Sequence, residues 1–67
     1  MAKIQINGKK LALKQNFSVL EVLKKYKLNK KKVAIELNGK ILPQNEYKKK
    51  ALKNNDKIEI VQFIGGG

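Results

Sequence analysis

Asn-Gly occurs twice in this chain, at Asn7-Gly8 and Asn38-Gly39, and each time it separates two short runs in which apolar and polar residues alternate. A two-residue hairpin turn needs positive φ at both central positions, which Asn followed by Gly adopts at little cost. Ile4 and Ile6 precede the first turn, and Leu11 and Leu13 follow it. In the register of a two-residue turn Ile4 lies opposite Leu11 and Ile6 opposite Lys9, so one face is apolar except at the turn, where a lysine stem can lie along it. Val33, Ile35 and Leu37 lead into the second turn, and Ile41 and Leu42 leave it. The spacing predicts a third strand and a short fourth.

Between the hairpins, Ser18-Val19-Leu20-Glu21 fits a capping box, with the serine hydroxyl accepting from the Glu21 amide and the glutamate reaching back. A helix is expected from Ser18 to near Lys27–Asn29, with Val19, Val22, Leu23 and Tyr26 as its apolar stripe and Glu21, Lys24 and Lys25 towards water. Lys30-Lys31-Lys32 reads as a solvated connection. Pro43 cannot donate to a ladder, so it ends the fourth strand and opens a single-turn segment through Tyr47. After a turn at Asn54-Asn55-Asp56, Lys57 to Ile64 reads as strand, with Ile58 and Ile60 on one face and Glu59, Val61 and Phe63 on the other. Either a bulge near Gln62 shifts that register, or Val61 and Phe63 form an exposed patch. Hairpin, helix, hairpin, irregular stretch and final strand describe an α+β chain: a mixed sheet of four to five strands with one main helix on one face. A right-handed crossover through the helix lets the first and last strands pair in parallel at the centre, which is the β-grasp topology.

Sixty-seven residues make one domain, near the lower size at which one core holds a fold without staples. Without cysteine there is no disulfide framework and no thiolate zinc site. No apolar run approaches a membrane span, and Met1-Ala2-Lys3 leads straight into a strand, so the expected location is the cytoplasm. The net charge of +11 comes from sixteen lysines and no arginine, against five acids. Such a field speeds encounters with acidic partners. A reader of nucleic acid without arginine would lack bidentate contacts to phosphate and guanine, and no aromatic platform for stacking bases is evident. The same lysine bias can equally reflect genomic base composition acting on tolerant surface positions.

Catalysis needs a nucleophile, an acid–base pair or a metal, and His, Cys and Thr are all missing. The single serine, Ser18, is accounted for as the helix cap. Glu21, Glu36, Glu46, Asp56 and Glu59 are isolated, with no spacing suited to acid–base work or cation coordination. The chain is therefore expected not to be an enzyme and to hold no metal or cofactor. Gly8 and Gly39 are required by turns, which leaves Gly65, Gly66 and Gly67 without a local role. Residues 1–64 are expected to form the folded body and 65–67 a flexible glycine tail, whose use is to thread, backbone first, into a narrow site elsewhere. Fully extended, three residues reach about 10 Å. What such a tail delivers is a carboxylate, and transfer to the α-phosphorus of ATP would convert it into an acyl-adenylate that a sulfur nucleophile can open.

The opening hairpin around Asn7-Gly8, the helix from Ser18, Val33-Ala34-Ile35-Glu36-Leu37-Asn38-Gly39, Leu42-Pro43, Asp56-Lys57-Ile58 and the ending Phe63-Ile64-Gly65-Gly66-Gly67 together resemble the ThiS family of sulfur carrier proteins. The likeness covers essentially the whole chain. It implies a ubiquitin-like β-grasp, adenylation of the terminal glycine by a ThiF-type enzyme using ATP and magnesium, sulfur supplied through a cysteine desulfurase, and delivery to thiazole synthase for the thiazole of thiamine. Carried over by position, Gly67 bears the adenylate and then the thiocarboxylate, Gly65 and Gly66 occupy the partner's channel, and Val61, Phe63 and Ile64 form the partner-facing apolar patch. The heavy lysine content, and Gln44 after the proline where a basic residue is common, depart from many relatives and bear on the docking surface rather than the tail. Three rival readings remain open: a small subunit of molybdopterin synthase, a ubiquitin-like modifier joined to lysine amines, and a basic nucleic-acid-binding module. The last would show steeply salt-dependent affinity.

Overall fold

The computed structural model describes residues 1–63. Its strands are β1 (Ala2–Ile6), β2 (Lys9–Leu13), β3 (Val33–Leu37), β4 (Lys40–Leu42) and β5 (Lys57–Gln62), with one helix, α1 (Val19–Lys25), between β2 and β3. The sheet order is β2-β1-β5-β3-β4. β5 therefore lies at the centre, parallel to β1 and antiparallel to β3. Both hairpins have the register set by their turns: Ile4 faces Leu11, Ile6 faces Lys9, and Leu37 faces Lys40. Asn7 and Asn38 have φ of 49° and 53° and their glycines 85° and 84°, the backbone conformation these turns demand.

One side of the sheet is dry and the other wet. Ala2, Ile4, Leu13, Val33, Ile35, Leu37 and Ile58 point inwards, and α1 closes over them with Val19, Val22 and Leu23, each fully buried. Seven residues are too few to be helical alone, so packing of this stripe and capping hold α1 in place. The amide of Val19 donates to the Lys50 carbonyl and that of Leu20 to the Tyr47 carbonyl. The capping box supplies the next contact, with Glu21 N donating to Ser18 Oγ at 3.1 Å and Ser18 N donating to Glu21 Oε1 at 2.9 Å. Tyr47, which follows the Gln44–Glu46 single turn after Pro43, is buried beside Leu52 in the same core.

Tyr26 departs from the expected stripe. The helix ends at Lys25, two residues or more before the expected stop, and Lys27 turns left-handed at φ 58°. Leu28 N then donates to Leu23 O at 2.8 Å and Lys27 N to Lys24 O at 3.1 Å, the paired bonds of a Schellman motif. The reversal leaves Tyr26 46% exposed and packs Leu28 against the core in its stead. Lys30–Lys32 form a 3₁₀ turn capped by the Asn29 side chain, which accepts from Lys31 N, and all three lysines are exposed as expected of a solvated connection.

Candidate functional site

β5 is the strand that leads to the glycine tail, and both neighbouring strands grip it. On the β3 side the ladder runs unbroken from Leu37↔Ile58 to Val33↔Gln62, and Phe63 N adds a further bond to Lys32 O at 2.8 Å. On the β1 side the strand partner stops at Ile6, and the Asn7 side chain continues the ladder. Ile60 N donates to Asn7 Oδ1 at 2.7 Å, and Asn7 Nδ2 donates to Ile60 O at 3.2 Å. An asparagine amide presents an NH2 donor group and a carbonyl acceptor side by side, so it reproduces the pairing of a strand residue.

The second turn does the same at the other end of β5. Asn38 Oδ1 accepts from Lys57 N at 2.9 Å, and Asn38 Nδ2 donates to Asp56 Oδ1 at 3.0 Å. The other Asp56 oxygen accepts from Lys53 N at 2.8 Å, which pins the turn that launches the strand. Each Asn-Gly thus reverses its own hairpin and also fixes β5. This second role has no local sequence signal, because it depends on side-chain reach across 53 and 19 positions of sequence.

The continuous register rules out a bulge near Gln62, so Val61 and Phe63 face the wet side of the sheet as an exposed patch, 60% and 53% accessible. Ile41 joins them on that face at 79% accessible. Its position had a signal in the sequence, since a two-residue turn at Asn38-Gly39 places Ile41 opposite Glu36, on the polar face. Glu36 in turn lies directly opposite Glu59, and Ala34 opposite Val61. Ile64, Gly65, Gly66 and Gly67, and with them the boundary between a 1–64 body and a 65–67 tail, fall outside the described residues.

Other groups that could carry chemistry have structural roles. Ser18 is engaged in its capping box, and Tyr47 is buried, which pushes its phenol above the usual tyrosine range. Buried Tyr47 also removes the one aromatic near Lys48–Lys50 from any stacking surface. Among the described residues no group of three or more potential metal ligands comes together, and no helix is long and apolar enough to cross a membrane.

Comparison with known proteins connects this geometry to a family. The family model described as ThiS family matches residues 3–67. The sulfur carrier protein ThiS of Bacillus subtilis is 37% identical over 65 residues, covering 96% of this chain and 98% of that protein. A thiazole synthase of Paramagnetospirillum magneticum is 38% identical over 65 residues, which are 97% of this chain but only 20% of the relative's length. The crystal structure of the thiamine biosynthesis protein ThiS from Geobacter metallireducens superposes with a TM-score of 0.79 at 29% identity, covering 97% of this chain and 99% of that one.

Proposed function

This chain belongs to the ThiS family of sulfur carrier proteins, a ubiquitin-like β-grasp, and from that membership we propose that the Gly67 carboxylate is its working group. The carboxylate oxygen attacks the α-phosphorus of ATP in a ThiF-type enzyme, and pyrophosphate leaves. A cysteine desulfurase relay supplies the sulfur as a persulfide, which a thiol reduces to sulfide while itself ending in a disulfide. The sulfide adds to the acyl carbon, and the C–O bond breaks to release AMP. The product is a thiocarboxylate. The activating partner holds ATP and magnesium and performs the catalysis in the cytoplasm, while this chain is carrier rather than enzyme. Gly65 and Gly66, without β-carbons, pass through a channel too narrow for other residues. Val61, Phe63 and Ile64 seat the body at the mouth.

One observation carries the reading: the family match runs through residue 67 and so includes the glycine tail itself. The thiazole synthase relative favours the thiamine branch over the molybdopterin one, because a segment similar to this chain forms part of that enzyme's own polypeptide. Thiazole synthase is accordingly the proposed acceptor. Incubation with a ThiF-type enzyme, magnesium, ATP and a sulfur source should raise the intact mass by the exchange of one oxygen for sulfur, localised to Gly67. Deletion of Gly66 and Gly67 should abolish that product and leave thermal unfolding unchanged. An isopeptide adduct on lysine in place of the thioacid would establish the modifier reading instead.

A further inference from the structure

The wet face of the sheet is electrically divided. The registers place Lys10 of β2, Gln5 of β1 and Lys57 of β5 in one row across three strands, with Lys3 and Ala12 paired in the next row. All five project away from the core, since Ile4, Leu11 and Ile58, which alternate with them, belong to its packed side. Strand spacing puts the origins of Lys10 and Lys57 about 10 Å apart across Gln5, with Lys3 beside them. These residues, with Ile4, Leu11, Asn55 and Asp56, line an open groove of about 480 Å³. Asp56, whose oxygens accept from Asn38 Nδ2 and Lys53 N, offsets one of the three lysines and leaves the groove net positive. The other half of the same face, on β3, β4 and the end of β5, carries Glu36 opposite Glu59 amid Ala34, Ile41 and Val61.

Glu36 and Glu59 lie directly opposite each other, an arrangement that opposes folding, so the acidic half is not explained by stability. We propose that the Lys3–Lys10–Lys57 groove is a docking element for a carboxylate-rich segment of the adenylating partner, working with the Val61–Phe63 patch on the same face. The inference rests on the carrier reading above. Charge complementarity and continuity with the patch define the occupant: acidic groups of the partner lie over β2, β1 and the start of β5, basic groups over Glu36 and Glu59, and apolar surface over Ile41 and Val61. A divided face fits its partner in one orientation, and that orientation sends the end of β5 towards the partner's site. Protein is favoured over nucleic acid because no aromatic side chain lines the groove and the chain has no arginine for forked phosphate contacts.

The test is surface plasmon resonance of the full chain over an immobilised ThiF-type enzyme without ATP, at low and physiological salt, which reads affinity and association rate together. The double variant Lys10→Glu/Lys57→Glu should bind at least about tenfold more weakly, with most of the loss in association rate and a flattened salt dependence. Lys24→Glu/Lys25→Glu, on the water side of α1, makes the same change in net charge and should bind like the wild type. Equal weakening by both pairs would overturn the groove in favour of a net-charge effect, as would unchanged binding of the first pair or no binding by the wild type. Should the glutamate pair unfold, Lys10→Gln/Lys57→Gln provides the same comparison, with a smaller expected loss. A wild-type protein that binds through the groove but is never thiolated would leave the docking element standing and remove the carrier chemistry. Retention of partner binding with selective loss of binding to a single-stranded thymidine oligonucleotide would assign the groove to nucleic acid and overturn the proposal.

Discussion

Replacing Asn7 with glycine tests whether a turn asparagine holds the strand that carries the tail. Glycine keeps the positive φ of the turn, so the hairpin reversal survives, while both side-chain bonds to Ile60 are lost. A net hydrogen bond contributes about 0.5–1.5 kcal/mol. The 2.7 Å bond belongs near the top of that range and the 3.2 Å bond near the bottom, since both are reached by water. Glycine adds unfolded-state entropy of about 0.4–1 kcal/mol, and relief of asparagine's left-handed strain offsets much of it. The expected loss is about 1–2 kcal/mol. For a domain of this size each kcal/mol lowers Tm by about 4–8 °C, so the midpoint should fall by roughly 5–15 °C. Urea unfolding followed by circular dichroism gives the free energy, and amide hydrogen exchange gives the location. The Ile60 amide should lose its protection below the global limit, while the amides of Glu59 and Val61, which the register directs at β3, should still exchange only with global unfolding. A stability loss under about 0.5 kcal/mol, or an Ile60 amide that exchanges as before, would refute the bridging role.

Val61→Asp and Phe63→Asp change side chains that are already more than half exposed, so stability should shift by no more than about 0.5 kcal/mol while thiolation by the ThiF-type enzyme falls at least tenfold. Far-UV circular dichroism and intact-mass kinetics separate the two effects. Gly66→Val should abolish adenylation with an unchanged melting curve, because residue 66 follows the last residue of β5, Gln62, in the chain. Burial raises the Tyr47 pKa in the folded protein above its ordinary 10.0, so the unfolded chain releases that proton first as pH climbs. Its contribution is intact below about pH 10 and is lost above it, and Tyr47→Phe should flatten that alkaline decline in urea midpoints measured beside the wild type.

The readable parts of the fold were those written locally. Two Asn-Gly turns fixed two registers, and Ser18 with Glu21 marked the start of α1, because each signal and its partner lie within a few residues. Helix termination carries no such local signal, because the left-handed residue of the Schellman motif is Lys27, where the usual signal would be glycine, and Tyr26 leaves the stripe in consequence. The alternation of Val61 and Phe63 pointed to the wet face, yet only the β3–β5 register could decide between a bulge and a patch. Pairing over long sequence distances also hid the acidic pair at Glu36 and Glu59 and the lysine row at Lys10 and Lys57. No local pattern states which residues of strands far apart in the chain will be side by side.

The sheet order β2-β1-β5-β3-β4 has a kinetic meaning. A nascent chain that has emerged only as far as Asp56 owns two hairpins and a helix, but the sheet that should join them lacks its middle. β1 reaches β3 only through β5, so nucleation of the sheet waits for a segment synthesised some fifty residues after its first neighbour, a topology of high contact order. Folding is thereby coupled to the emergence of β5, and chains interrupted before it would be left unassembled and exposed to proteolysis.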